Sequence, residues 1–452
     1  MPTSSGSHLR HARCSARAFL VLLAAAAQPA CALAPGQIGA TLTFPVSNAA
    51  DNAYAAAINP DGTLLIAGSG NSGGYGVLAR VTAGGAADLS FAPNGYIVED
   101  LSTNLADSLR ALVRTSDGHY VACGTYFSVG TATDFVTARF TSAGALVSYV
   151  VTPYLASGSG AVLYDQCNAV GVQSDGKVVS AGYTQADGSE RVMVTRHTTD
   201  DVLDSSFAGG GKVKIDASLN PAADSSAQAL VVLPDDKLLI AGNAGGTFNN
   251  IEFLLMRLNA DGTPDDTFGT NGIVRTPIGT GTDIANALLV QPDGRIVVAG
   301  SSVAADGRAD FAVARYSEAG VLDTTFGGGA GFVTTPVGPG EDIPYAVLLM
   351  PWGRIVAAGS ARISTSSPGT DIAVVAYNAD GTLDKYFGSG GKVMVQLGMS
   401  ADEVIYALAV DISHTHFWAA GAGVPGTNRD LMVLEFGLPD TIFRYDFEVP
   451  AP

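Results

Sequence analysis

At 452 residues, with 47% hydrophobic residues, 55 glycines and 15% charged residues, the chain has the makeup of a turn-rich β protein and excludes a disordered one. A formal net charge of −18 excludes nucleic acid and anionic membrane surfaces as natural partners and favours cations or basic groups. Length alone suggests about three domains, but one repeat runs through the chain, and repeated units share one continuous core.

Residues 1–34 read as a secretory signal peptide: Arg10, Arg13 and Arg17, the apolar run 18–27, then small residues with cleavage points after Ala32 and Ala34. Ten apolar residues are too few for a bilayer of about 30 Å, which argues against a membrane anchor. Gln28 and Pro29 are poor neighbours for a lipidated Cys31. Cleavage removes three arginines and no acid, taking the charge from −18 to −21. The acidic mature chain has no expected transmembrane segment and is expected to be secreted or at the cell surface, with the periplasm as the alternative. Only Cys123 and Cys167 then remain, which permits one disulfide in an oxidising compartment; two buried thiols are the alternative.

After an isolated strand at 39–46, a turn followed by a glycine-terminated strand recurs seven times, most clearly as PDGRIVVAGS at 292–301. The closing glycines are Gly68, Gly124, Gly182, Gly242, Gly300, Gly359 and Gly421, a period of about 59 residues. In the repeat 283–337 four strands follow one another: ANALLVQ, RIVVAGS, FAVARYS and GFVTTPV. Pro292-Asp293-Gly294 supplies the first hairpin turn. A second signature, LDTTFG at 322–327, returns as Asp88/Phe91, Asp204/Phe207, Asp265/Phe268 and Asp384/Phe387, and its aromatics are expected to pack between repeats.

Four strands in each of seven repeats predict an all-β, seven-bladed β-propeller of four-stranded antiparallel blades over 35–437, with a short C-terminal tail at 438–452. The seventh repeat lacks a fourth strand, and the isolated N-terminal strand is expected to pair there and close the ring. A linear β-solenoid would leave that strand unexplained.

LDTTFGGGAGFVTT, QPDGRIVVAGS and DFAVARYSEAG closely resemble the bacterial delta-60 repeat, over nearly the whole mature chain. Repeat two departs with Ala145-Leu146-Val147, and repeat seven with Ser413-His414-Thr415. The resemblance implies a secreted or surface-exposed, propeller-like protein of unknown biochemical role. IFRYDFE at 442–448 is similar to short C-terminal tails on secreted proteins of some Gram-negative bacteria.

Four residues before the small residue of each first strand stand Asp51, Asp107, Asp165, Ser225, Asp283, Asp342 and Glu403. Placed round a channel mouth, the six acids would form a ring able to hold Ca²⁺ or a basic group. The alternative is that each caps backbone N–H groups at its own turn. Variable loops between second and third strands carry Tyr126, Phe127, Tyr183, Phe248, Asn249, Asn250 and Arg362, suited to a glycan or an extracellular protein. Asn259 to Asp265 lacks the glutamate of an EF-hand, His414 and His416 lack a third zinc ligand, and no GxSxG accompanies any histidine. The sequence therefore favours a monomeric, non-enzymatic binding or adhesion scaffold. A polysaccharide lyase or hydrolase using channel-mouth carboxylates, and a purely structural envelope module, are the alternatives.

Overall fold

The computed structural model describes residues 33–438 except 73, 103–106, 129–131, 155–162, 187, 247–249, 351–352, 365–368, 399–401, 412–415 and 424–428. The expected leader up to residue 32, the tail from 439, and Phe248, Asn249 and His414 lie outside the described residues.

The described strands form seven antiparallel blades around a central channel, with almost no helix; blade two also gains the two-residue strand Leu163–Tyr164, parallel to its third strand Ala132–Phe140. The inner strands are Asn52–Ile58, Ser108–Arg114, Gln166–Val172, Ser225–Val232, Asp283–Val290, Asp342–Leu349 and Val404–Val410. Each packs beside the next, and the first beside the last. Second and third strands, such as Ile296–Val303 and Asp371–Tyr377, are buried along almost their whole length. Both faces of each blade press against neighbouring blades, so these strands carry continuous apolar runs instead of alternation. Outer strands such as Tyr96–Glu99 are short and half-exposed, which limits the unpaired edge offered to solvent. In the seventh blade, Val404–Val410, His416–Gly423 and Asp430–Gly437 are joined by Ile38–Phe44, with Thr41 opposite Leu434 and Phe44 opposite Leu431.

The repeated Asp-x-x-Phe segment fastens one blade to the next. In the third blade, Arg196 donates from Nε to Asp204 at 2.9 Å, from Nη1 to the carbonyl of Ala260 in the following blade, and lies 4.8 Å from the Phe207 ring centre. The same set recurs as Arg80/Asp88/Phe91, Arg257/Asp265/Phe268 and Arg315/Asp323/Phe326, reaching Ser142, Glu318 and Ala379. The Phe rings lie beneath the turn glycines of the next blade, Phe207 under Gly262 and Phe268 under Gly320, where a side chain would collide. The hydroxyl of Ser206, its amide, and the charges of Arg196 and Lys177 hold the Asp204 carboxyl down at about 2. Blade two lacks the segment, and there Arg139 pairs with Asp201 of blade three at 2.8 Å. A Cys123–Cys167 disulfide joins the second strand of blade two to the inner strand of blade three.

Every inner strand is interrupted at one place by a β-bulge, between Ala53 and Ala55 in the first blade and between Ala285 and Ala287 in the fifth. Opposite each bulge stands the repeat's closing glycine, Gly68 and Gly300 in these two blades, paired with the residue before the bulge. The inner-strand carbonyl preceding that pair, from Asn52 or Ile284, sits directly over the glycine Cα, where a Cβ would overlap it. All seven closing glycines meet a carbonyl in this way. Gly300→Ala is therefore expected to cost about 3 kcal/mol or more in urea denaturation. Gly307→Ala, at φ +82° in open space, should cost about 1 kcal/mol. Equal costs would contradict the close approach.

Candidate functional site: the channel chamber

A bulge leaves one residue without a ladder partner and re-aims its side chain. The seven bulge residues are Tyr54, Arg110, Asn168, Gln228, Asn286, Tyr345 and Tyr406, one from each blade in order round the ring. All seven converge on one cavity of about 340 Å³ at the end of the channel where the inner strands begin. Behind every bulge residue comes alanine, Ala55, Ala111, Ala169, Ala229, Ala287, Ala346 and Ala407, lining the channel below the chamber. No bulky side chain crowds the bulge from that position, and the strand regains its pairing there.

The chamber has two unlike halves. Blades six, seven and one contribute an aromatic arc in which the Tyr406 ring lies 5.1 Å from both Tyr345 and Tyr54, tilted 56° to each. Arg110 continues the arc from blade two, with its guanidinium carbon 4.9 Å from the Tyr54 ring centre. The other half is made of amides stitched to their neighbours. Asn168 Nδ2 donates to the Ala227 carbonyl at 2.9 Å, Asn286 Nδ2 to that of Pro344 at 2.9 Å, and Gln228 Nε2 to Ser226 Oγ at 3.2 Å. Burial, with the neighbouring Tyr406, pushes the Tyr345 phenol up to about 12, and burial likewise raises Tyr406 against the opposing charge of Arg429. Both phenols therefore stay protonated across the physiological range. The arrangement offers flat apolar faces, hydroxyls, amides and a guanidinium around one cavity.

The six acids from the sequence are buried, and none lines this cavity. Each accepts N–H groups from the loop that enters its own blade: Asp51 from Val46 and Ser47, Asp107 from Ser102, Asp165 from Tyr154, Asp283 from Ile278 and Gly279, Asp342 from Val337 and Gly338, and Glu403 from Leu397 and Gly398. In the fourth blade Ser225 Oγ accepts from Ala217. Burial raises Asp107, Asp165, Asp283, Asp342 and Glu403 above the usual carboxylate range, against the N–H groups that lower them. Among the described residues, no three His, Cys, Asp or Glu side chains converge in a way that would hold a metal ion.

Of the loop residues, Tyr183 is half-buried, and Arg110 of the chamber opposes the burial that raises its phenol. Tyr126 stacks at 6.2 Å on Tyr149, and Phe127 donates its amide to Asp107. Arg362 packs across Gly340 in its own blade, and Asn250 faces Glu252. His416 packs edge-on against Trp418.

A family described as a β-propeller domain of unknown function (DUF5122) matches residues 59–91, 115–146, 173–207, 233–268, 291–326 and 353–387. Each match runs from the first hairpin turn of a blade to the end of its third-to-fourth-strand connection. Six of the seven blades therefore carry a match to this propeller repeat. No curated protein matches it. Similar solved structures include Sqt1 from Chaetomium thermophilum, 13% identical over 83% of this chain and 80% of that one, with a TM-score of 0.40. An α-L-arabinofuranosidase from Fusarium graminearum is 11% identical over 90% and 99%, TM-score 0.43. An α-L-arabinanase from Penicillium chrysogenum is 11% identical over 89% and 99%, TM-score 0.40.

The matched segments of this propeller repeat leave out the inner strands, so the chamber residues fall outside the matches. Their signal in the sequence is positional: a variable residue immediately before an alanine present in all seven repeats. Because the loop acids already receive backbone N–H groups, about 5 mM CaCl₂ is expected to leave the melting temperature within about 1 °C of its value in a chelator. A clear upward shift would show that the acids bind a cation.

Proposed function

We propose that this is a secreted, non-enzymatic propeller that binds a glycan at or beyond the cell surface, with the channel chamber as its receptor. The observation that carries the reading is the convergence of Tyr54, Tyr345 and Tyr406 with Arg110 and three amides on one cavity. Tyrosine rings present flat apolar area that is already ordered, and they match the C–H faces of sugar rings, while phenol and amide groups match sugar hydroxyls. About 340 Å³ lies at the lower end of small-ligand pockets, roughly 300–1,000 Å³, which suits the end of a saccharide chain better than a long stretch of one.

Binding without turnover is our reading of a lining made of tyrosines, amides and a guanidinium. Glycoside hydrolysis uses two carboxyl groups flanking the scissile bond, and the described residues around the chamber include no carboxylic acid. Secretion is supported by the basic, apolar and small-residue order of the first 34 residues. Among the described residues no helix is long and apolar enough to cross a membrane. A protein partner on the variable loops is a second reading, favoured by Tyr126 stacked on Tyr149, which is 43% exposed.

The test is a glycan array probed with the mature chain and with Tyr406→Ala, followed by analysis of bound saccharides for cleavage. The expected result is a saccharide bound intact, with affinity reduced about tenfold or more in Tyr406→Ala. Cleaved product, or binding indifferent to Tyr406, would contradict the reading.

A further inference from the structure

The chamber is lined by one guanidinium, that of Arg110, and by no acid, while Asp402 and Glu341 act on Tyr345 from outside the lining. Arg110 is partly buried over Tyr54, its Nε is buried without a hydrogen-bond partner, and among the described residues no carboxylate pairs with it. Arg429, just before the third strand of blade seven, donates from Nη2 to Asn52 Oδ1 at 3.3 Å, and its own Nε is also buried and unpartnered. The charge of Arg429 acts on both Tyr345 and Tyr406, and that of Arg110 on Tyr406 and Tyr183. Arg110 thus extends the arc beyond Tyr54, and Arg429 reaches the same tyrosines from beside Asn52. Glu190 also faces Tyr183, and burial raises its carboxyl above the usual carboxylate range. In a chain with 42 acidic and 24 basic residues, this cavity is lined by a cation and no acid.

A partly desolvated guanidinium without a counter-ion is costly, and an anion seated beside it recovers much of that cost. We infer that the chamber takes an acidic saccharide, a uronate whose carboxylate is received by Arg110 and Arg429 while a face of its ring lies on Tyr54 and Tyr406. This rests on the saccharide reading of the chamber and adds the chemical class of the sugar. The guanidinium edge matches a carboxylate with two parallel N–H donors, a geometry an ammonium group lacks. Stacking over Tyr54 orients the Arg110 plane while leaving donors at its edge. Asn286 commits its Nδ2 to the Pro344 carbonyl, so its Oδ1 is placed to accept from a sugar hydroxyl on the far side.

The experiment is calorimetric titration of the mature chain with oligosaccharides of glucuronate, galacturonate and mannuronate, each beside its methyl ester, and with neutral oligosaccharides. One acid is expected to bind at least about tenfold more tightly than its ester, the size of effect a charge-assisted hydrogen bond carries. Arg110→Gln should lower the acid's affinity about tenfold more than it lowers the ester's. Added salt should weaken only the acid. Equal binding of acid and ester, binding of neutral saccharides alone, or undiminished acid binding by Arg110→Gln overturns the inference and leaves the saccharide reading standing. No binding in any arm overturns both. Melting curves establish that Arg110→Gln is folded, and Arg429→Gln repeats the comparison should it not be.

Discussion

A carbonyl resting on a bare Cα, repeated seven times, determines the shape of this molecule's centre. Where each inner strand bulges, its backbone moves so close to the second strand that only glycine fits opposite. The bulge in turn frees one side chain per blade from the strand-to-strand alternation and points it into the channel. The repeat's most visible sequence feature and its cavity are thus two sides of one backbone contact.

That contact shapes each blade but does not join blades together. The joining is done farther out, by the Arg–Asp–Phe fastener that reaches a carbonyl of the following blade, and by Arg139–Asp201 and the Cys123–Cys167 bridge where repeat two lacks the fastener. At the seam between blades six and seven Ala376 stands where blades one to five have arginine, and there Phe387 stacks on Phe417, which in turn stacks on Phe436. Rigid spacing between blades is what allows side chains from seven separate strands to share one small cavity.

Most of the architecture was legible because it is written in local chemistry. Turn residues, the Gly-terminated strands and the missing fourth strand of the last repeat led to seven four-stranded blades, and the recurrent Phe residues do pack between them. The chamber was not legible, for a physical reason. A bulge is a relation between two strands, and nothing in NAYAAA or SLRALV alone says that Tyr54 or Arg110 leaves the ladder. The periodic small residue points instead to the acids four positions before it, which the fold turns into their own entry loops. Tyr126 and Arg362 were singled out for lying in variable loops, and the fold packs them against their own blades.

The central claim is that the aromatic arc of the channel, and not the outer loops, is where a ligand sits. The most direct test is NMR of the mature chain with ring-labelled tyrosines, assigned by substitution, as the bound oligosaccharide is added. Signals of Tyr54, Tyr345 and Tyr406 should move, while those of Tyr386 and Tyr164, exposed by 77% and 50%, stay in place. Shifts at Tyr126 and Tyr149 with the three channel tyrosines unmoved would contradict the account.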